Sequence, residues 1–441
     1  MTFLMELVLK LSRSSLLLIL VLCLTLTGCG GSTNFRAPID RGAKFEKINQ
    51  SELQGELVVG VVWSVGDGKF VEGASLAAEE INAEKKGKEF RYRLVVVDEN
   101  KYLISAGFDR LSEGRYRNAS QRLAKRLAKE FNILDPNLVA VVGHSDKHNT
   151  ALPAALSYQD NGILFLSAAS TDPQMAHLDS PLTFQLSSPD NRLAEQMAEY
   201  INSRYLKSML VLYSRDRKST QFVEFLQKSI QRNSASVKIH QQFIPDRYLR
   251  GDLGVWSDFD ITSIMASLTK AAKEKNIDSV LIVSDMAITA GIIKRSKDFD
   301  FKLPFIVMPA VSTQKFISDV GEAGIGTVMP TSVDEATHSF KQFSKRFVKY
   351  TDGVYPDAGA ALGYDSIYLL DKAMRHANSS KPLHVSLTLQ YTMPPWTGAS
   401  GTFGFLENGT NKHRKYFFTR LVRADSGKLQ FRAEDKAKEG G

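Results

Sequence analysis

Short, uninterrupted apolar runs alternate with segments of helical period along most of this chain. The runs at Leu57–Val62, Tyr92–Val97, Leu138–Val142, Ile163–Leu166, Leu182–Leu186, Met209–Tyr213, Val237–Ile244, Ser279–Val283, Phe305–Met308 and Gly326–Met329 read as strands. Most lack the alternation of a half-exposed sheet, which points to parallel strands covered on both faces. Between them lie amphipathic segments. Phe70, Ala74, Ala77, Ala78 and Ile81 share one face of a helix expected over 70–84. Further helices are expected over 121–131, 191–205, 220–231, 261–275, 288–297, 336–350 and 358–377, with one near Lys315. The C-terminal part, with turns at Asn408-Gly409 and Ser426-Gly427, reads as hairpins. Such alternation implies right-handed βαβ units, and this many strands divide most naturally into two doubly wound sheets. Two stretches, 99–117 and 245–258, have no clear period and read as insertions. The chain carries no internal repeat or low-complexity run worth naming.

Two polar loops follow adjacent strands: Gly143-His144-Ser145-Asp146-Lys147-His148-Asn149-Thr150 and Ser167-Ala168-Ala169-Ser170-Thr171-Asp172-Pro173. Open parallel sheets receive ligands at the carboxyl ends of their strands, and helix N-termini nearby supply free N–H groups. Asn149 and Thr171 or Asp172 also suit plain N-capping. Two such loops side by side favour a binding crevice.

A length of 441 residues suits two domains rather than one core. Net charge is +8, but the basic residues are spread over many helix faces, without the basic and aromatic stripe of a nucleic-acid surface. Near the N-terminus, Lys10 and Arg13 precede the apolar run Leu16–Leu26, too short to cross a bilayer but suited to an export signal. Leu26-Thr27-Gly28-Cys29 is similar to a bacterial lipobox, which makes Cys29 the expected lipidation site, carrying palmitate or a related acyl chain. Residues 1–28 are then the signal peptide and 29–55 a tether. Cys23, the second of the two cysteines, falls inside the signal, so the mature chain has no thiol for a disulfide, a metal cluster or catalysis. Gly30 after Cys29 carries no aspartate retention signal.

Motifs for chemistry fail on inspection. Gly66-Asp67-Gly68-Lys69 lacks both the leading glycine of a phosphate loop, where Trp63 stands, and the hydroxyl after lysine. His144, Ser145 and Asp146 are adjacent on one loop and cannot form a relay of separated groups. His144 and His148 are spaced by four without an obvious third ligand. No Gly-x-Ser-x-Gly elbow or His-Glu-x-x-His helix occurs. No enzyme, metal or cofactor is expected.

Gly60-Val61-Val62, Glu72-Gly73-Ala74, Glu79-Glu80-Ile81-Asn82-Ala83, Val142-Gly143-His144, Pro153, Asn161-Gly162-Ile163, Ser170-Thr171-Asp172-Pro173, Asp258-Phe259, Asn276-Ile277-Asp278, Ala361-Leu362-Gly363-Tyr364-Asp365 and Gly401-Thr402-Phe403-Gly404-Phe405 occur in an ordered series. That series resembles the type I periplasmic binding proteins, nearest the leucine/isoleucine/valine-binding branch. The resemblance covers about Leu57 to Phe431. It implies an α/β fold of two Rossmann-like doubly wound lobes with a hinge, 56–187 plus 335–411 and 188–334 plus 412–432, with a disordered tail at 433–441. It implies a non-enzymatic, lipid-anchored receptor in the bacterial cell envelope. Such a receptor captures a small polar ligand (an amino acid, amide or small carboxylate) and passes it to an ABC permease. Ligand positions carried over are Asn149 or Thr150, with Ser170 and Thr171. Lys218-Ser219 stands where a Tyr-Gly pair is usual. The family's acidic residue aligns near Ala310, and Asp285 is the candidate replacement. Trp63 and Phe70 border the same cleft, and Lys147 or Lys218 is placed to meet an anionic group. The altered loops and the two insertions leave an alternative, a regulatory or scaffolding lipoprotein of the same fold.

Overall fold

The computed structural model describes residues 53–66, 68–84, 90–99, 101, 121–130, 135, 137–145, 150–233, 237–244, 258–310 and 313–434. The export signal, Cys29 and residues 29–52 lie outside these residues, as do most of both insertions, Lys147, Asn149 and residues 435–441; the last three residues expected in the tether are described, with Leu53 buried and Gly55 opening the first strand.

The chain runs β1 (Gly55–Trp63), α1 (Phe70–Glu84), β2 (Phe90–Asp98), a helix at 121–130, β3 (Leu138–Gly143), α2 (Ala151–Asp160), β4 (Leu164–Ser167) and β5 (Thr183–Gln185). It continues through α3 (Asp190–Ser203), β6 (Ser208–Tyr213), α4 (Arg217–Arg232), β7 (Lys238–Phe243), α5 (Asp258–Glu274), β8 (Ser279–Val283) and α6 (Met286–Ser296). Then come β9 (Phe305–Val307), α7 (Thr313–Val320), β10 (Val328–Thr331), α8 (His338–Tyr350), α9 (Ala358–Ala377) and α10 (Pro382–Leu387). Four short strands close the chain: β11 (Trp396–Thr397), β12 (Thr402–Phe403), β13 (Phe417–Arg423) and β14 (Leu429–Ala433).

The expected strands and helices are present, with shifted ends. The strand expected from Gly326 begins at Val328, because Gly326 turns the chain with φ +90 and donates its N–H to Leu421. Helix α10 has no counterpart in the sequence reading. Pro382 sits in its first turn, where a missing N–H costs nothing. At the C-terminus, β14 runs to Ala433, one residue past the expected edge of the second lobe, and Glu434 pairs with Arg204 and Arg420.

The first sheet is wholly parallel, in the order β2-β1-β3-β4-β5. The second is ordered β14-β13-β10-β9-β8-β6-β7, parallel from β10 to β7, with β13 and β14 added antiparallel. Counted from the first strand of each set, β1–β5 and β6–β10 have the same 2-1-3-4-5 order. Each sheet carries a core on both faces, as apolar central strands require. In the first, Val59 and Val61 of β1 face α1, α8 and α9, while Val62 faces α2 and the 121–130 helix. In the second, Leu210 and Leu212 of β6 face α5–α7, while Met209 and Val211 face α3 and α4.

The chain passes from the first core to the second near Leu186, back near Val333, and again between Phe405 and Tyr416. These crossings are tied together. Gln185 accepts from Asn411 N–H and donates its own N–H to Gly409. Arg414 is buried and donates to Ser332 on the second crossing and to the Ser400 carbonyl in the first lobe.

Candidate functional site

The carboxyl ends of β1, β3 and β4 in the first lobe, and of β6, β8 and β9 in the second, carry the polar loops singled out in the sequence. In a 2-1-3-4-5 sheet the order reverses between the first and third strands, and ligands bind in the crevice there. In the first lobe this switch point lies between β1 and β3, and in the second between β6 and β8. Each has a serine pair across it: Ser64 Oγ is 2.9 Å from Ser145 Oγ, and Ser214 Oγ is 2.6 Å from Ser284 Oγ.

On the first lobe, Trp63 ends β1 and Phe70 begins α1. Their rings stack at 4.0 Å and 7° and both are buried, so the pair forms a wall between strand and helix. Thr150 directly precedes α2 and is fully buried, with its hydroxyl turned to His144 and Glu99 rather than to the helix N–H groups. Ser170 is buried; its carbonyl accepts from Gln185 Nε2 at 2.9 Å and its hydroxyl from Asp172 N–H at 3.4 Å. Thr171 is half-buried, and its carbonyl accepts from Asp190 N–H at the first crossing, which fixes this loop to the hinge.

On the second lobe, α4 begins at Arg217 because Asp216 caps it, accepting from Ser219 N–H at 2.9 Å. Lys218 therefore lies in the first helical turn, half-buried, close enough to the buried Tyr416 for its charge to act on that phenol. Burial pushes the Tyr416 pKa up, with Asp190 adding to the rise and Arg414 and Lys218 opposing it. Asp285 is exposed and caps α6, accepting from Ala287 N–H at 2.7 Å. That cap gives the residue a structural task at the cleft edge.

The lobes also meet directly. Asp172 uses Oδ1 to cap the turn at Gln174 and Oδ2 to pair with Arg217 of α4 at 2.5 Å. Neither Asp172 nor Arg217 was singled out as a site residue in the sequence. Glu99 and Ser64 were also passed over, and His144 and Ser145 were weighed only as catalytic or metal candidates. Glu99, just beyond β2, is fully buried and hydrogen-bonded to Ser145 and Thr150. His144 lies 3.1 Å from it and 3.1 Å from Tyr158 OH. Ser64 and Ser145 bridge the switch point. A readable signal existed: a serine follows closely on β1, β3, β6 and β8 alike. Among the described residues, no cluster of three or more His, Cys, Asp or Glu could hold a metal, and no helix is long and apolar enough to cross a membrane.

Comparison with known proteins bears on this geometry. Residues 133–428 match the model of a family described as periplasmic binding protein. The Leu/Ile/Val-binding protein homolog 1 of Brucella suis biovar 1 (strain 1330) is 21% identical over 294 residues, 66% of this chain and 74% of the relative. Among solved structures, an ABC transporter substrate-binding protein from Desulfitobacterium hafniense in complex with Leu superposes with a TM-score of 0.67 at 19% identity. The match covers 85% of this chain and 99% of that one. A leucine-binding protein from Thermotoga maritima MSB8 gives a TM-score of 0.66 at 19% identity, over 86% and 98%. A solute-binding protein from R. palustris in complex with benzoate gives 0.64 at 16% identity, over 86% and 96%.

Proposed function

Since the chain belongs to the periplasmic binding protein family, we propose that it captures a small polar solute between its two lobes and delivers it to an ABC permease. What carries the reading is the pair of switch points, each with its serine pair, on two lobes already joined across the crevice by Asp172 and Arg217. We place the lobes at 56–187 plus 335–411 and 188–334 plus 412–432. Ser170 and Thr171 line the first side and Lys218 the second, with the Trp63–Phe70 stack as supporting wall. The role is binding without catalysis. The solute belongs to the amino acids, amides or small carboxylates, the chemistry that the relatives' leucine and benzoate complexes represent. Closure follows only if the ligand contacts the closed arrangement better than the open one. The chain is held at the envelope by lipid on Cys29; incorporation of a labelled lipid precursor is expected to vanish in Cys29→Ala, and persistent labelling would sink the anchor.

Thermal shift across that solute set tests capture. A true ligand at about 100 times its Kd stabilises by about 2.7 kcal/mol. A flat response to every compound removes the transport reading. The second reading, a lipoprotein of this fold acting through protein contacts, is favoured by one observation, the filling of the first switch point by Glu99.

A further inference from the structure

In the first lobe the switch-point crevice already contains a carboxylate. Glu99 Oε1 accepts from the Thr150 hydroxyl and lies 3.1 Å from His144 Nδ1; Oε2 accepts from Ser145 N–H at 3.3 Å and Ser145 Oγ at 3.0 Å. Glu99, His144 and Thr150 are fully buried and Ser145 nearly so. The protons can be counted. Ser145 has one hydroxyl proton, given to Glu99, so Ser64 donates in the 2.9 Å contact between the serines. If His144 Nδ1 carries the proton facing Glu99, Nε2 must accept, and Tyr158 OH is 3.1 Å away to donate. Burial and the charge of Glu99 both push the Tyr158 pKa well up, which keeps that proton on the phenol. Among the described residues, Thr150 and Ser145 donate to the carboxylate, and His144 in this tautomer presents its Nδ1–H to Glu99 at 3.1 Å and to Thr150 Oγ1 at 2.9 Å.

The second lobe shows that the fold does not require an acid here. Trp63 pairs with Asp98 in the first sheet as Tyr213 pairs with Phe243 in the second. One step on, Ser64 corresponds to Ser214 and Glu99 to Ile244. Ile244 is a fully buried member of the apolar core. The same backbone position beside the same serine pair therefore accepts a hydrocarbon side chain. A buried acid there without donors would be costly, so donors and acid belong to one chemical unit.

We propose that the first switch point is a carboxylate-binding site occupied from within: Glu99 is a tethered occupant that keeps external carboxylates out of the first lobe. Resting on the capture reading above, this also narrows the solute class. The solute meets the first lobe through neutral or cationic groups, and any carboxylate it carries is held elsewhere.

The test uses the purified full-length protein, with sodium formate and sodium acetate as probes against sodium chloride at equal ionic strength. Glu99→Ala is expected to lower the thermal midpoint, and either carboxylate is expected to restore it saturably in the millimolar range. Wild type and Glu99→Gln, whose side chain fills the same space, are expected to show only the chloride response. The double variant Glu99→Ala with Thr150→Ala is expected to lose the rescue. No saturable rescue of Glu99→Ala overturns the proposal, as does an equal response in wild type or a rescue that survives loss of Thr150. Should Glu99→Ala fail to fold in chloride, refolding yield becomes the readout: a higher yield in acetate supports the site, and equal yields overturn it. A wild-type protein that captures no solute would remove the capture reading and leave this result standing.

Discussion

Gly363→Ala puts two opposed effects in competition. Helix α9 packs against α1 with backbones in contact. A Cβ on Gly363 would lie 2.0 Å from the Phe70 carbonyl oxygen, and one on Gly73 would lie 2.0 Å from that of Ala360. Helix propensity alone favours alanine over glycine by about 0.8–1.0 kcal/mol at an interior position. The steric effect opposes it and is larger. The contact is roughly 1.4 Å short of ordinary van der Waals distance, and the obstacle is backbone, with no rotamer to escape into. Overpacking costs about 1–3 kcal/mol, and a backbone obstacle belongs at the upper end, so the net loss is about 2 kcal/mol. The shift per kcal/mol shrinks with size, to roughly 1–2 °C for a chain of 441 residues, so the midpoint should fall by roughly 2–4 °C. Thermal unfolding followed by circular dichroism reads this directly. Gly73→Ala should behave alike, and the double variant should cost less than the sum, because one separation of the helices admits both methyl groups. An unchanged or raised midpoint in Gly363→Ala would refute the backbone contact, and strict additivity would refute the shared displacement.

Two further outcomes concern charged side chains, one buried and one at the surface. Asp365 is wholly buried, accepting from Ala399 N–H, Ser400 N–H and Ser400 Oγ, and its pKa is pushed up to about 6 by burial, against the pull of those donors and of Arg414. A folded pKa above the ordinary 3.8 means that the folded state holds the proton more tightly. The stabilising contribution is full below about 3.8 and is lost as pH rises through about 6, on the order of 3 kcal/mol in all. The midpoint of wild type relative to Asp365→Asn should therefore fall across this window, and a flat difference from pH 4 to 8 would contradict it. At the lobe contact, Asp172→Asn keeps the cap on Gln174 and loses only the ion pair with Arg217, whose side chain is 47% exposed, so it should cost under about 1 kcal/mol. Asp172→Ala loses the cap too and should cost about 1 kcal/mol more; equal chemical stability of the two variants would show that the cap contributes nothing.

Much of the fold was legible because buried strands must be apolar throughout. Leu138–Val142 and Ser279–Val283 announce themselves by composition, and α9 by its 3.6-residue period over 358–377. The site was legible only as a set of loops. Ser170 and Thr171 were named through the family resemblance, and their loop is positioned by a strand end and by hydrogen bonds to the nearby Gln185 and Asp190. Glu99 could not be named. It meets His144 and Thr150 across 45 and 51 residues, and only the pairing of β2 and β3 on either side of β1 brings them together. No periodicity encodes such a contact, so Glu99 was read as the first residue of an insertion.

The repeat between the lobes was equally hidden, for a physical reason. The 2-1-3-4-5 order is fixed by the handedness of βαβ units and by burial on both faces, requirements that Val-Val-Gly-Val-Val-Trp in β1 and Ser-Met-Leu-Val-Leu-Tyr in β6 meet with different residues. Topology can therefore repeat while sequence identity vanishes. What does survive is polar and sits at the strand ends: Ser64 and Ser145 against Ser214 and Ser284. Where these residues stay the same, the position is set by the crevice. Where one lobe has Ile244 and the other Glu99, the fold accepts both, and the difference must be explained by chemistry. A carboxylate surrounded by inward donors is a specific answer, because each donor would be left unpaired by an apolar replacement on that side alone. On the proposed reading, the break in the repeat bears more on selectivity than the repeat itself.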